Sequence, residues 1–263
     1  MTKLIGGTIS DTPIKNIGDG SAFFAGGGAE TDPLFSNVEL LLMPEAGDAS
    51  ILDKSSNART VTNTGTVSIV SDVNTPTGYA MDFGTESNLY YLTFSDDAGL
   101  KPGTGDFCIE AIISCTGTVS GANCLTGASV SGSTGGSFNF GWFYSTALGP
   151  WFYLDQLPRL EAPCNDADVS TSNSGVTWNP GGYHHWAWSR SGSTNRIFCD
   201  GYEEDTVTNS RDVGATNWTA FHIGMWSLPS TRVFAGRVAM FRLTIGAARY
   251  TSNFSPFSLF PKS

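Results

Sequence analysis

The feature that most constrains the fold of this chain is a series of short apolar segments, each ending at a turn-forming residue. In the last third, these segments are rich in β-branched and aromatic residues, and the turns contain Gly, Ser or Asp-Gly. They lie at Tyr183–Arg190, Ile197–Gly201, Phe234–Leu243 and Gly246–Phe254. Short strands joined one after another by tight turns are typical of an antiparallel sandwich.

Earlier segments show the same pattern with a period of two, which places every second side chain on one face of a strand. In the strand predicted at 107–113, the residues on one face are Phe107, Ile109, Ala111 and Ile113. Ser137–Tyr144 alternates in the same way, and Trp151–Leu154 is expected to be its hairpin partner. The segment from Val38 to Met43 predicts a strand covered on both faces. No window has sustained helical periodicity, so the chain is predicted to be all-β.

Composition and charge exclude several classes of protein. A length of 263 residues suits one large sandwich as well as two small domains. The net charge of −10 and the scattered basic residues argue against binding nucleic acid, which needs clustered Lys and Arg. No stretch approaches the roughly 20 apolar residues of a membrane span. The first residues lack the apolar region of a secretory signal, so either the protein is not secreted by that route or a signal has been removed, and Met1 favours the former.

The first 35 residues differ from the rest because glycines interrupt every apolar pair. Such a segment cannot build a core of its own. Two interpretations remain open: an extended docking arm that becomes ordered against another subunit, or a floppy tail. The sequence therefore divides into an arm at 1–35 and a folded body at 36–263.

Six segments from residue 32 onward share short motifs with one family of all-β domains. They are Asp32–Leu42, Asp53–Asn57, Tyr79–Leu92, Gly105–Glu110, Tyr183–Ser191 and Ala247–Phe254. The last, Ala-Ala-Arg-Tyr-Thr-Ser-Asn-Phe, is the most specific. Together they resemble the laminin-G-like or concanavalin-A-like lectin and glucanase jelly roll, in the form common in tailed-phage virion proteins. The resemblance spans residues 32–261 and implies a two-sheet antiparallel jelly-roll sandwich.

Metal binding has little support in the sequence, so no metal site and no cofactor are predicted. Relatives of this fold sometimes bind calcium at a rim loop, but Ala239 and Met240 stand where the family often carries an acidic pair. Asp166 and Asp168 are the candidate calcium ligands. Calcium needs six to eight oxygen ligands, and the local supply is thin.

Catalytic motifs are not evident, and the protein is predicted not to be an enzyme. Glucanases of this architecture carry a signature that resembles Glu-x-Asp-x-x-Glu and places acidic side chains on one face of a strand. The chain lacks this motif. The densest acidic cluster, Glu203–Asp205, follows a turn and is expected in a solvated loop. His184 and His185 are adjacent and are expected on opposite faces of a strand, in structural roles. No Gly-x-Ser-x-Gly nucleophile elbow is present.

Aromatic residues near turns and strand ends are the candidates for carbohydrate contact, because sugars stack their apolar ring faces on aromatic side chains. The alternative for each of them is a place in the core or in a subunit interface. Trp186 and Trp188 share one face of a predicted central strand and are expected in the core. The candidate sugar-contacting residues are Trp142, Trp151, Tyr153, Trp218 and Trp226.

The five cysteines lack the closely paired spacing of a zinc site. Cys115 and Cys124 could face each other across a hairpin and form a disulfide. Buried reduced thiols are the alternative for all of them.

From these observations and the resemblance, we expect a non-enzymatic structural protein of a tailed-phage virion. It would be displayed on the particle as a capsid decoration or tail-associated protein, assembled in the host cytoplasm, with possible glycan adhesion. Its expected partners are other virion proteins, reached through the arm, further copies of itself as a homo-oligomer, and cell-surface glycans. The alternatives are a carbohydrate- or receptor-binding module of a tail fibre and a glycoside hydrolase.

Overall fold

The protein is described by a computed structural model, in which the described residues are 31–85, 87–95, 98–115, 123–130, 141–145, 149–154, 160–161, 182–208, 210, 212–213, 218–226, 233–256 and 260–262. At 123–124, 128–130, 141–145, 149–154, 160–161 and 218 it is the backbone that is described. Most of the predicted arm, residues 1–30, lies outside these ranges.

The regular secondary structure of the described residues consists of strands and of two 3-10 turns at Phe35–Asn37 and Ala98–Leu100. The strands are β1 (Val38–Leu42), β2 (Thr62–Thr64), β3 (Ser68–Ser71), β4 (Tyr79–Asp82), β5 (Tyr91–Ser95), β6 (Phe107–Cys115), β7 (Asn123–Val130), β8 (Gly141–Ser145), β9 (Gly149–Leu154), β10 (Leu160–Glu161), β11 (Tyr183–Ser191), β12 (Thr194–Cys199), β13 (Tyr202–Thr208), β14 (Trp218–Ile223) and β15 (Gly236–Ile245). The predicted all-β class is confirmed. None of the helices among the described residues has the length and hydropathy needed to cross a bilayer.

The strands form two antiparallel sheets, as predicted. The first sheet has the order β13-β12-β11-β6-β15-β4-β3, and β1 also pairs with β15. The second sheet has the order β10-β9-β8-β7-β14-β5-β2. The predicted hairpin of β8 and β9 is confirmed, since Phe143 pairs with Trp151.

Alternation along the strands builds the core between the two sheets. Phe107, Ile109, Ala111 and Ile113 of β6 all face this core, as their spacing predicts. From the second sheet, the residues that meet them include Leu92 and Phe94 of β5 and Phe221 and Ile223 of β14. Trp186 and Trp188 are 3% and 1% exposed, which confirms their place in the core.

The outer face of the first sheet is also buried, because the last part of the chain lies across it. We call residues 246–256 and 260–262 the closing segment. Its Phe260 packs with Ile112 and Met240, and its Tyr250 and Phe254 pack on a second apolar cluster. The Tyr250 and Phe254 rings stack with centroids 3.6 Å apart. The most specific motif of the sequence therefore covers a sheet.

Beneath the closing segment lies a fully buried carboxylate, Glu110 of β6. Its Oε1 accepts a hydrogen bond from Arg242 Nε at 2.8 Å, and its Oε2 lies 2.8 Å from the Tyr250 hydroxyl and 3.0 Å from His185 Nε2. Burial alone would raise the pKa of Glu110, but the Arg242 charge and the His185 hydrogen bond outweigh it and lower that pKa to about 2. The carboxylate is therefore ionised and structural.

The same network holds the start of the described chain against the body. Asp32 receives two hydrogen bonds from Arg249, at 3.0 and 2.6 Å, and one from Arg242 at 3.3 Å. Two parallel bonds from one guanidinium are a strong and directional form of ion pair. Phe35 packs on the neighbouring apolar cluster. The last residues of the predicted arm therefore contact the outer face of the first sheet.

Candidate functional site

The second sheet carries the aromatic residues that the sequence singles out for carbohydrate contact. Trp142 pairs in register with Phe152, and Trp151 and Tyr153 pair with Phe143 and Gly141. Trp218 begins β14, where it pairs with Val130 of β7. The side chains of Trp142, Trp151, Tyr153 and Trp218 lie outside the described residues, so the structure establishes the position of their backbone. These four residues lie on β8, β9 and β14, and β7 separates β8 from β14 in the sheet.

The fifth candidate, Trp226, lies on a segment that returns over this sheet. We call residues 224–226 and 233–235 the crossing segment. Met225 and Val233 pair across it as an isolated antiparallel bridge. Gly127 of β7 has so little room that a Cβ built on it would lie 1.8 Å from the carbonyl oxygen of Trp226. The absence of a side chain at Gly127 therefore allows the segment to lie directly on the sheet, with Trp226 partly exposed.

Gly127 and its register partner His222 locate this contact on the outer face of the second sheet. Leu92, Phe94, Phe221 and Ile223 face the core, so their neighbours along the strands, Tyr91, Thr93 and His222, face outward.

Below the crossing segment, these outward residues form an uncharged floor. His222 Nδ1 lies 3.0 Å from the Thr93 hydroxyl, and its ring meets the edge of Tyr91 with centroids 5.8 Å apart. Burial lowers the pKa of His222 to about 4, so the ring is neutral at physiological pH. Tyr91 also packs with Met225 and Val233 of the crossing segment. The floor thus supports the segment that carries Trp226 without placing a charge beneath it.

The acidic cluster Glu203–Asp205 lies in β13, so the expectation of a loop is wrong. Polar residues on an edge strand resemble a loop in sequence, because solvent covers one side of them. A β-bulge at this point pairs Glu203 with Phe198 and Asp205 with Ile197. Neighbouring residues of β12 face opposite sides of the sheet, so Glu203 and Asp205 do not share a face. A pair of carboxylates flanking one glycosidic bond does not form here.

The adjacent histidines separate as predicted. His185 lies under the closing segment beside Glu110, and His184 lies on the other face, with its Nδ1 2.8 Å from Asp200 Oδ2. The ligand atoms of His184, Cys199 and Asp200 all lie within 4.8 Å of one another. The sequence rule for zinc sites misses this group because it looks for closely spaced pairs, whereas a hairpin brings these three together.

Two other sequence expectations concern cysteines and calcium. Cys115 ends β6 in the first sheet and Cys124 lies in β7 of the second, so the hairpin proposed for them does not form. Cys108, Cys115 and Cys199 are buried, as expected of small apolar side chains. The calcium candidates Asp166 and Asp168 lie outside the described residues.

Comparison with solved structures finds the same fold in an arabinanase domain and in the binding domains of two toxins. Domain 4 of the arabinanase AbnA from Geobacillus stearothermophilus is similar, with a TM-score of 0.57 and 15% identity over 81% of this chain and 94% of that one. The binding domain of botulinum neurotoxin serotype D has a TM-score of 0.57 and 9% identity over 84% of this chain and 49% of that one. The binding domain of Paraclostridial Mosquitocidal Protein 1 has a TM-score of 0.56 and 11% identity over 81% of this chain and 50% of that one. At these identities the likeness is one of fold, and the chain spans about half the length of the two toxin domains.

At the level of sequence, no curated protein matches the chain. A family model described as concanavalin A-like lectin/glucanases matches residues 85–247, from the loop before β5 to the start of the closing segment. This range includes β5 to β15, and with them most of both sheets, the crossing segment and the buried Glu110. The chain belongs to the concanavalin A-like lectin/glucanase superfamily.

Proposed function

We propose that this protein is a non-enzymatic carbohydrate-binding module that binds glycans on the outer face of its second sheet. The observation that carries the proposal is Trp226, which the crossing segment holds partly exposed over the outer face of this sheet, while the backbones of the other four candidates lie in strands of the same sheet. The outer face of the first sheet is covered by the closing segment. The second sheet is therefore the better candidate for a ligand.

Trp226 and the half-buried hydroxyl of Thr93 suit a ligand that combines an apolar face with hydroxyl groups. Tyr91 and His222 are buried and support the crossing segment, whereas Trp226 is partly exposed and supplies a flat apolar surface. Sugars combine an apolar ring face with polar edges, which matches an aromatic surface beside neutral polar groups. A neutral His222 also avoids the cost of a buried charge.

The choice of probes follows from the similar structures. The arabinanase domain was solved with arabinotriose and the serotype D domain with N-acetylneuraminic acid. These ligands belong to those proteins, and they supply two different sugar classes to test first: a neutral pentose oligomer and an acidic monosaccharide.

A glycan array followed by calorimetric titration tests the proposal. We expect selective binding to a subset of glycans, weakened at least tenfold by Trp226→Ala. Tyr202→Ala is the matched control, because Tyr202 is a partly exposed aromatic on edge strand β13 of the other sheet. Uniform signals across all glycans, or equal losses in both variants, would reject a sugar site on the second sheet.

The assignment as a non-enzyme is supported by the acidic residues. Glu203 and Asp205 lie on opposite faces of β13, and Glu110 is sealed and ion-paired. Incubation with β-glucans, agar and alginate, followed by a reducing-sugar assay, tests this assignment. Product that accumulates in proportion to protein concentration would contradict it.

We further propose that the module is a structural protein of a tailed-phage virion, displayed on the capsid or tail. The support is the resemblance of its motifs, above all Ala247–Phe254, and the low share of charged residues, 14%. Its partners would be other virion proteins and further copies of itself. Asp32 is held by Arg249 and Arg242, so an arm before it would start from a fixed point on the body.

Deletion of residues 1–30 tests this role while leaving the Asp32 ion pairs in place. We expect the truncated protein to fold with unchanged thermal stability and to be lost from assembled particles. The full chain is the control in the same assembly reaction. Full incorporation of the truncated protein would contradict a docking role for the arm.

A further inference from the structure

The hairpin of β11 and β12 brings a histidine, a cysteine and an aspartate, all side chains able to ligate a metal, together at one end of the core. Cys199 pairs in register with Trp186, and His184 is two residues from Trp186 along β11, so both side chains face the core. His184 and Cys199 are 7% and 3% exposed. Asp200 follows directly, at the turn into β13, with 17% of its side chain exposed.

The turn fixes the direction of the Asp200 side chain. Asp200 and Gly201 both adopt positive φ, 47° and 81°, as a two-residue hairpin turn of the Asp-Gly type requires. The Asp200 N–H donates to the His185 carbonyl, and Asp200 Oδ1 accepts from the His185 N–H, each at 2.8 Å. The second carboxylate oxygen, Oδ2, is thereby directed to His184 Nδ1, also at 2.8 Å.

We propose that His184, Cys199 and Asp200 bind a divalent transition metal of the Zn²⁺ class. Their ligand atoms lie within 4.8 Å of one another. Ligands of a tetrahedral zinc ion, bound at about 2.0–2.3 Å, lie roughly 3.3–3.8 Å apart. Side-chain rotations would produce this arrangement if they shortened the longest distance between ligand atoms by about 1 Å and lengthened the His184 Nδ1–Asp200 Oδ2 distance by about 0.5 Å.

The donor set determines which class of ion fits. Thiolate and imidazole ligands favour zinc and its neighbours, whereas calcium and magnesium prefer oxygen. A thiolate and a carboxylate would neutralise the two positive charges of the ion, which matters because the site borders the apolar core. Binding would release the Cys199 thiol proton to solvent, so the affinity would rise with pH.

Three protein ligands leave one coordination position of a tetrahedral ion for water. The site lies in the first sheet and does not depend on the carbohydrate proposal. Its effect would be to join β11 to the start of β13 at a point where Asp200 reaches the surface.

Cobalt titration of the full, tag-free chain, previously treated with a chelator, tests the proposal. With Co²⁺ as the probe, we expect one ion per chain and a near-ultraviolet charge-transfer band from the thiolate, both removed by adding Zn²⁺. Cys199→Ser should abolish the band. Cys108→Ser is the matched control, since Cys108 is buried on the opposite face of the same sheet, where burial raises the pKa of its thiol.

Asp200→Asn provides a second variant if Cys199→Ser does not fold, because Asn also tolerates positive φ at this turn. We expect it to weaken Co²⁺ binding at least tenfold. Absence of a charge-transfer band in the parent chain at saturating Co²⁺ would overturn the proposal. A band that survives Cys199→Ser, or an unchanged affinity in Asp200→Asn, would overturn it as well.

Discussion

Replacing Glu110 with Gln tests whether the buried ionic network stabilises the fold. The Gln side chain has nearly the same shape but loses the negative charge that Arg242 faces. Its amide nitrogen also cannot accept the hydrogen bonds that converge on the carboxylate from Tyr250 and His185. Removing one partner of a buried ion pair typically costs about 3–5 kcal/mol. We expect the free energy of unfolding at pH 7 to fall by that amount.

The pKa of Glu110 gives an independent magnitude and a direction with pH. That pKa is lowered from 4.5 to about 2 by folding. At roughly 1.4 kcal/mol per pKa unit, this corresponds to about 3 kcal/mol. Because the folded-state pKa lies below the unfolded one, the contribution is fully present above about pH 4.5 and is lost as the pH falls towards 2. The stability difference between parent and variant should therefore narrow over that interval.

Urea unfolding at a series of pH values from 7 to 3, followed by tryptophan fluorescence, measures both effects. Glu39→Gln is the control, because Glu39 forms an ion pair with Arg59 while 24% of its side chain is exposed. A partly exposed pair contributes at most about 1 kcal/mol. A loss below 1 kcal/mol for Glu110→Gln at pH 7, or a difference that stays constant down to pH 3, would refute the reasoning.

Two further substitutions test the crossing and closing segments. Gly127→Ala should displace the backbone at Trp226, lower the free energy of unfolding by about 1–3 kcal/mol and weaken glycan binding. Gly105→Ala is the control and should change stability little, because the nearest atom to its new Cβ would be 3.5 Å away. Equal melting temperatures for the two variants would contradict the tight contact at Gly127. Phe254→Ala removes the ring stacked on Tyr250 and should lower the free energy of unfolding by about 2 kcal/mol, below the roughly 3–5 kcal/mol for a fully buried Phe. Calorimetry checks the value. An unchanged melting temperature would show that the closing segment does not stabilise the first sheet.

Much of the fold could be predicted because buried strands leave a period-two signal in the sequence. The core-facing set on β6, the hairpin of β8 and β9 and the burial of Trp186 and Trp188 all follow from it. This signal is local, so it indicates which residues face a core without indicating which sheet a strand joins. The hairpin expected for Cys115 and Cys124 was wrong for that reason, since the chain passes from one sheet to the other between them.

The features that escaped prediction depend on contacts between residues distant in sequence. A single Glu110 in an apolar strand gives no sign of the Arg242 beside it, 132 residues away. The group of His184, Cys199 and Asp200 forms when a hairpin closes, and the contact of Trp226 with Gly127 needs a loop to fold back over a sheet. The candidate sugar-contacting aromatic residues could be chosen from their positions near turns. That they belong to one sheet could not be predicted, because strand pairing joins segments distant in sequence.

The bidentate ion pair of Arg249 with Asp32 fixes the side of the domain from which the preceding residues extend. Whatever precedes residue 32 leaves from beside the closing segment, and the two layers of the sandwich separate that exit from the surface around Trp226. A partner that held the protein by the residues before Asp32 would lie on the side of the first sheet. The outer face of the second sheet would then point away from that partner. The ion pair thus sets the orientation of the domain, and the outer face of the second sheet, where we propose that glycans bind, would stay accessible.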